Sequence, residues 1–137
     1  MSTSTSPILP ILTAIIGVLG TAFVRRILER RPKLTAYVSG SAPFNLPDNL
    51  SIIFYTVVIN NIGKLKANNV HVCHERLPKL FQVIPPSIEY SVKDLPNGGK
   101  DVFFNALVPG EQVTIAYMES AGFVDIPFEI KFDDGYA

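Results

Sequence analysis

One cysteine in 137 residues, no charged side chain before Arg25 and none of the short motifs that carry catalysis set the first limits on this chain. A single cysteine, Cys73, excludes an intrachain disulfide and suits a reducing compartment. G-x-S-x-G, H-E-x-x-H, G-x-G-x-x-G and P-loop patterns are all missing, so the sequence reads as a non-enzyme without a cofactor. Basic excess is missing too. Five of the 12 basic residues crowd between Arg25 and Lys33, leaving a net of about −4 from Leu34 onward, which speaks against a nucleic-acid binder. Repeats and low-complexity tracts are absent, and the length holds one small domain beside a short N-terminal element.

What is present begins with an apolar run. Residues 7–24, PILPILTAIIGVLGTAFV, carry no charge and as a helix reach roughly 27 Å, close to the roughly 30 Å hydrocarbon core of a bilayer. We expect a transmembrane helix there, after a short tail over residues 1–6. A buried core helix would not be apolar on every side, and a cleaved signal would carry positive charge ahead of the run. A basic juxtamembrane segment, residues 25–33, follows. Arg25, Arg26, Arg30, Arg31 and Lys33 form a collar that marks topology or meets lipid headgroups, placing the N-terminus outside and the domain on the cytoplasmic side. Ile27 and Leu28 are expected at the interface, and Pro32 ends the helix. Thr13, Gly17 and Thr21 recur every fourth residue with Gly20 beside them, a stripe of small side chains through which the helix can self-associate.

From Leu34 the period changes from helical to alternating, and residues 34–137 read as an all-β domain. We expect strands over residues 34–39, 50–60, 67–75, 88–92, 101–107, 113–118 and 127–132, with a loop at 40–49 and irregular chain after Pro78. The strand at 50–60 is apolar on both faces, so its second face is covered or adhesive. Asn97-Gly98-Gly99 marks a hairpin turn, and Pro109-Gly110 supplies the centre of a type II turn. In the last strand Phe128, Ile130 and Phe132 are expected inward. Six or seven short strands between Gly and Pro turns make an antiparallel β-sandwich the best fit.

The stretch VVINNIGKLKANNVHV, followed some 40 residues later by ALVPGEQVTIAY, resembles bacterial immunoglobulin-like domains of the CARDB type. The matching positions are Asn61, Gly63, Ala67, Asn69, Val70, Val72, Leu107, Pro109, Gly110 and Glu111. This resemblance covers about half the chain and implies an immunoglobulin-like sandwich with an adhesion or scaffolding role. Asn61, Gly63, Pro109 and Gly110 would be its fold-defining turns.

Of the chemistry-bearing residues, His71, Cys73 and Glu75 share one face of a strand and His74 the other. Zinc accepts all three types, but neighbours nearly 7 Å apart on one strand are too stretched to close on one ion, and no second ligand cluster exists. We read them as a solvated strand face with a reactive thiol. Asp133-Asp134 reads as a solvated tail, and Asn97-Gly98-Gly99-Lys100 as a turn, since no helix follows to bind phosphate. The sequence therefore points to a single-pass membrane-anchored β-sandwich that binds a protein partner at the lipid bilayer. An accessory structural subunit of a larger membrane or virion-membrane complex is the alternative.

Overall fold

A computed structural model describes residues 8–28, 30–120 and 124–137; for 8–10, 27 and 28 it describes the backbone alone. The chain divides into two units, one ending at Arg31 and the other spanning Pro32–Ala137. The first holds a 21-residue helix, α1 (Ile8–Leu28), whose described side chains are all exposed. Among the described residues no helix is long and apolar enough to cross a membrane. The expected span over residues 7–24 is therefore not shown. Described side chains run only from Ile11 to Arg26, and the last two of them are arginines. Residues 1–7, the side chains of Ile27 and Leu28, and Glu29 lie outside the described residues.

The second unit is all-β, with two antiparallel sheets. Its strands are β1 (Leu34–Asn45), β2 (Ser51–Asn61), β3 (Ala67–His74), β4 (Leu80–Ile84), β5 (Ser91–Asp94), β6 (Lys100–Leu107), β7 (Gln112–Ser120), β8 (Glu129–Phe132) and β9 (Gly135–Tyr136). The first sheet has the order β1-β2-β7-β4 and the second β5-β6-β3-β8-β9. Tyr55, Val57 and Ile59 of β2 and Val113, Ile115 and Tyr117 of β7 meet Val72, Val102, Phe104 and Ile130 of the second sheet in one core. Each such side chain gains about 1.5–3 kcal/mol from burial, so inward alternation on both sheets is what closes the sandwich.

Several expectations change. The predicted loop at 40–49 is strand as far as Asn45, because β1 is an edge strand on which Pro43 interrupts no interior ladder; only Pro47–Asn49 turns, as a 3-10 segment. The irregular chain after Pro78 contains β4, paired to β7 from Leu80↔Met118 to Ile84↔Thr114. Five residues with Gln82 among Leu80, Val83 and Ile84 show no clean alternation, so the strand is set by its partner. Phe128, expected inward, is 55% exposed, since β8 begins only at Glu129. Asn69 adopts φ 53°, and this left-handed residue resets the alternation so that Ala67 and Val70 both enter the core.

The two turn motifs, 46 residues apart, meet at Asn61. Its buried side chain donates to Leu65 O at 2.8 Å and Leu107 O at 2.9 Å and accepts from Gly63 N at 3.0 Å and Lys33 N at 3.4 Å. Its backbone accepts from Gly110 N at 2.8 Å and donates to Glu111 O at 3.0 Å. Gly110 has the positive φ, 81°, that the third position of a type II turn demands, and Glu111 Oε2 accepts from Val108 N at 2.8 Å to close it. Asn61, Gly63, Pro109 and Gly110 thus form one structural knot. In the β5–β6 hairpin, a Cβ on Gly99 would lie 2.3 Å from His74 O, so that residue has room for hydrogen alone.

Candidate functional site

The sandwich presents two outer faces built from the outward alternation of each sheet. On the second sheet several outward side chains pair with one another. Lys93 Nζ sits 3.9 Å above the Phe103 ring, which packs at 5.0 Å against His71. His71 Nδ1 donates to Asp101 Oδ2 at 2.6 Å, and Lys131 pairs with Glu129 at 3.4 Å. Cys73 lies under this cover, 2% exposed. Burial, and then the Asp101 carboxylate, push its thiol pKa up, so it stays protonated and shielded. The expected solvated position of Cys73 is corrected: the thiol is buried. Among the described residues no three His, Cys, Asp or Glu side chains are placed to hold a metal ion. Asp101 Oδ1 is buried without a protein partner.

His74, on the other side of β3, is fully buried. Its Nδ1 lies 3.0 Å from Val72 O and must donate there, which leaves Nε2 to accept from Tyr117 Oη at 2.6 Å. Burial lowers the His74 pKa and raises that of Tyr117, so both are neutral. Tyr117 stacks on Tyr55 at 4.9 Å, and Tyr55 Oη exchanges hydrogen bonds with the backbone of Asp125 at 3.1 Å. Arg76 holds the same segment through Asp125 at 2.8 Å and Glu119 at 3.3 Å. This is an internal brace. A neutral imidazole, a protonated phenol and a sheltered thiol offer no nucleophile.

The outer face of the first sheet is different in kind. Outward positions fall in rows across the strands: Ala42, Phe54, Met118 and Leu80 form one, and Tyr37, Val58, Thr114 and Ile84 another. Between them lies a row of small or polar side chains that includes Gly40, Thr56 and Ala116. No Asp, Glu, Lys or Arg occupies an outward position on the paired stretches of these four strands. Leu80 is 63% exposed, and Tyr37, Phe44, Phe54, Ile84 and Met118 are exposed as well. At one end the face dips into a depression of about 410 Å³ floored by Ile52, Leu80 and Met118 and rimmed by Arg76, Lys79 and Glu119. The exposed apolar side chains therefore lie in two rows, separated by the small and polar side chains of Gly40, Thr56, Gln82 and Ala116.

The remaining sequence candidates fall elsewhere. Gly17 and Thr21 line an open groove on α1 with Ala14, Val18, Ala22 and Arg25; Thr13 and Gly20 do not line it. Thr21 Oγ1 bonds Gly17 O at 2.7 Å, so its hydroxyl proton is used within the helix. The collar residues Arg25, Arg26, Arg30, Arg31 and Lys33 are all exposed. Glu75 is exposed without joining the His71 pair, Asp133 accepts from Asn69 Nδ2 at 2.9 Å, and Asn97–Lys100 is hairpin. The sequence flagged β2 as apolar on both faces but missed β4, which widens the bare face and carries its most exposed side chain. Compared with known protein families, curated proteins and solved structures, the chain has no match in any of the three.

Proposed function

We propose that this chain is a membrane-attached binding module whose sandwich receives a protein on the outer face of its first sheet. The carrying observation is that the outward positions of this sheet's paired strands hold no charged side chain and leave Tyr37, Phe54, Leu80, Ile84 and Met118 exposed, while the opposite face carries charged side chains that pair with one another. The helix α1, with apolar side chains exposed on every side and an arginine-rich end, is the lipid attachment. The collar stays with the sandwich on the cytoplasmic side and the N-terminus lies outside. The small-residue groove at Gly17 and Thr21 is a second place for self-association. The fold is read as an immunoglobulin-like sandwich of the CARDB type, and the strand order is compatible with the immunoglobulin-like part of that reading. β1-β2-β7-β4 corresponds to one sheet of that sandwich and β3-β8-β9 to the other, with the β5–β6 hairpin added.

The test is photocrosslinking from the membrane-bound full chain. A photoreactive side chain at Phe54 or Leu80 is expected to capture a protein, and one at Lys93 none; equal capture from both faces, or none from Phe54, overturns the reading. Protease added to intact cells is expected to spare the sandwich. Digestion from outside overturns the sidedness. A discrete large complex on native gels favours the alternative role, an accessory structural subunit of a membrane or virion-membrane assembly.

A further inference from the structure

We infer that the protein received at the first sheet presents an extended, uncharged segment of its chain, which pairs as an added strand with the open edge of β1. This rests on the reading that a protein docks on that sheet, and adds the form in which it does so. The backbone is the first reason. Asn61 is the register partner of Leu34, and its own N–H and C=O are taken by Glu111 and Gly110 on the β7 side, so the Leu34 backbone points away from β2. Alternation turns Ala36 and Val38 the same way. These three residues offer an N–H and a C=O each at a repeat of about 6.8 Å, and among the described residues no strand pairs with them. An extended polypeptide is the partner that carries complementary donors and acceptors at that spacing.

Composition is the second. β1 sits at an edge yet is written like an interior strand, since none of its 12 residues is charged. Tyr37 shares the outer face with Val58 and is 54% exposed; Val38 shares the inner face with Val57 and is 48% exposed, against 3% for Val57. The inner gap comes from the second sheet. Phe81 of β4 meets Tyr90 beside β5 at 6.1 Å, so β1, at the far side of its sheet, lies toward β8 and β9, which span only four and two residues. An added strand lays alternate side chains beside Tyr37 on one face and beside Val38 on the other, so a segment apolar at successive positions covers both.

The other edges are guarded. β5 carries Lys93 and Asp94, β9 is two residues long, and β4, whose inward Phe81 and Val83 are packed on the core, runs straight into Pro85 and Pro86. On β1 the bulge between Val38 and Gly40, and then Pro43, end the usable edge, so pairing runs over residues 34–38. Another copy of this chain fits less well, because its β1 brings the same bulge and the same proline and the two edges part at both ends.

The probe is a capped, uncharged pentapeptide of alternating threonine and valine, added at millimolar concentration to the full chain in mild detergent and read by amide hydrogen exchange. Its control is the same peptide with every amide N-methylated. Exchange at Leu34, Ala36 and Val38 is expected to slow at least about fivefold with the first peptide and to stay unchanged with the second. Ala36→Pro removes an N–H that β2 does not use, and is expected to weaken binding at least about tenfold at unchanged thermal unfolding, while Ala36→Ser binds as wild type. Equal binding of the methylated peptide, protection at β4 instead, or no protection over residues 34–38 overturns the inference. In that event a photoreactive Phe54 position that still captures a protein shows that only the strand form has fallen; one that captures nothing takes the docking reading with it. Wild-type dimers that dissociate in Ala36→Pro overturn the assignment to a different protein.

Discussion

The two outer faces of the sandwich rest on the same core yet treat water in opposite ways. Sheet two places Lys93, His71, Asp101, Glu129 and Lys131 outward: Lys93 and His71 flank Phe103, His71 holds Asp101, and Lys131 pairs with Glu129. Sheet one leaves Tyr37, Phe54, Leu80 and Met118 bare. Folding requires only the inward side chains, so an apolar outward face is not a by-product of stability. That exposure is the observation on which the proposed docking role rests.

The largest expected effect separates the two sides of one strand. Tyr55→Ala, inward, is expected to destabilise by about 3–5 kcal/mol in urea titration, whereas Phe54→Ser, its outward neighbour, should cost less than about 1 kcal/mol and raise solubility. Similar losses at both positions would mean that the face is already covered. Next comes the brace: Tyr117→Phe strips His74 Nε2 of its donor and is expected to cost about 1–3 kcal/mol.

The same imidazole sets a pH dependence. Its folded pKa is lowered by burial, so the unfolded chain takes up a proton near pH 6.5 that the folded chain refuses. The stability this provides is complete above that pH and is lost as pH falls through it. Urea midpoints at pH 7.5 and 5.5 check this. The decline should remain in His71→Gln, on the second sheet's face, and vanish in His74→Gln.

A smaller effect probes the polar cover. Wild-type Cys73 is expected to react with maleimide at least about tenfold more slowly than in urea, and Asp101→Ala to speed that reaction by removing both the His71 anchor and a nearby negative charge. Fast labelling of the folded wild type would show the cover to be open. Smallest of all, Arg76→Gln removes an exposed pair and should shift stability by no more than about 1 kcal/mol.

The β class was legible because inward alternation is written into single strands: Val57 and Ile59, Val113 and Ile115, Ile130 and Phe132 each skip one residue. Both turn motifs were legible from Asn61, Gly63, Pro109 and Gly110, although their meeting at one buried side chain is a tertiary fact. β4 was hidden because its pattern is imposed by β7. The burial of Cys73 was hidden because its cover comes from β6 and β8, strands remote in sequence. The bare face could be half read from β2 alone, through Phe54 and Val58; its breadth required the neighbours.

The knot at Asn61 also fixes how a pull would travel. Ile62 N donates to Lys33 O at 2.8 Å and Lys33 N to Asn61 Oδ1 at 3.4 Å, so the start of the sandwich is fastened at the same turn. Tension applied through α1 therefore reaches the β2–β3 and β6–β7 turns before it reaches the rest of the domain. Asn61→Ala removes the side-chain acceptor of Lys33 N and leaves the backbone bond from Ile62 N to Lys33 O: in single-molecule extension the first yielding event is expected at lower force than in the wild type.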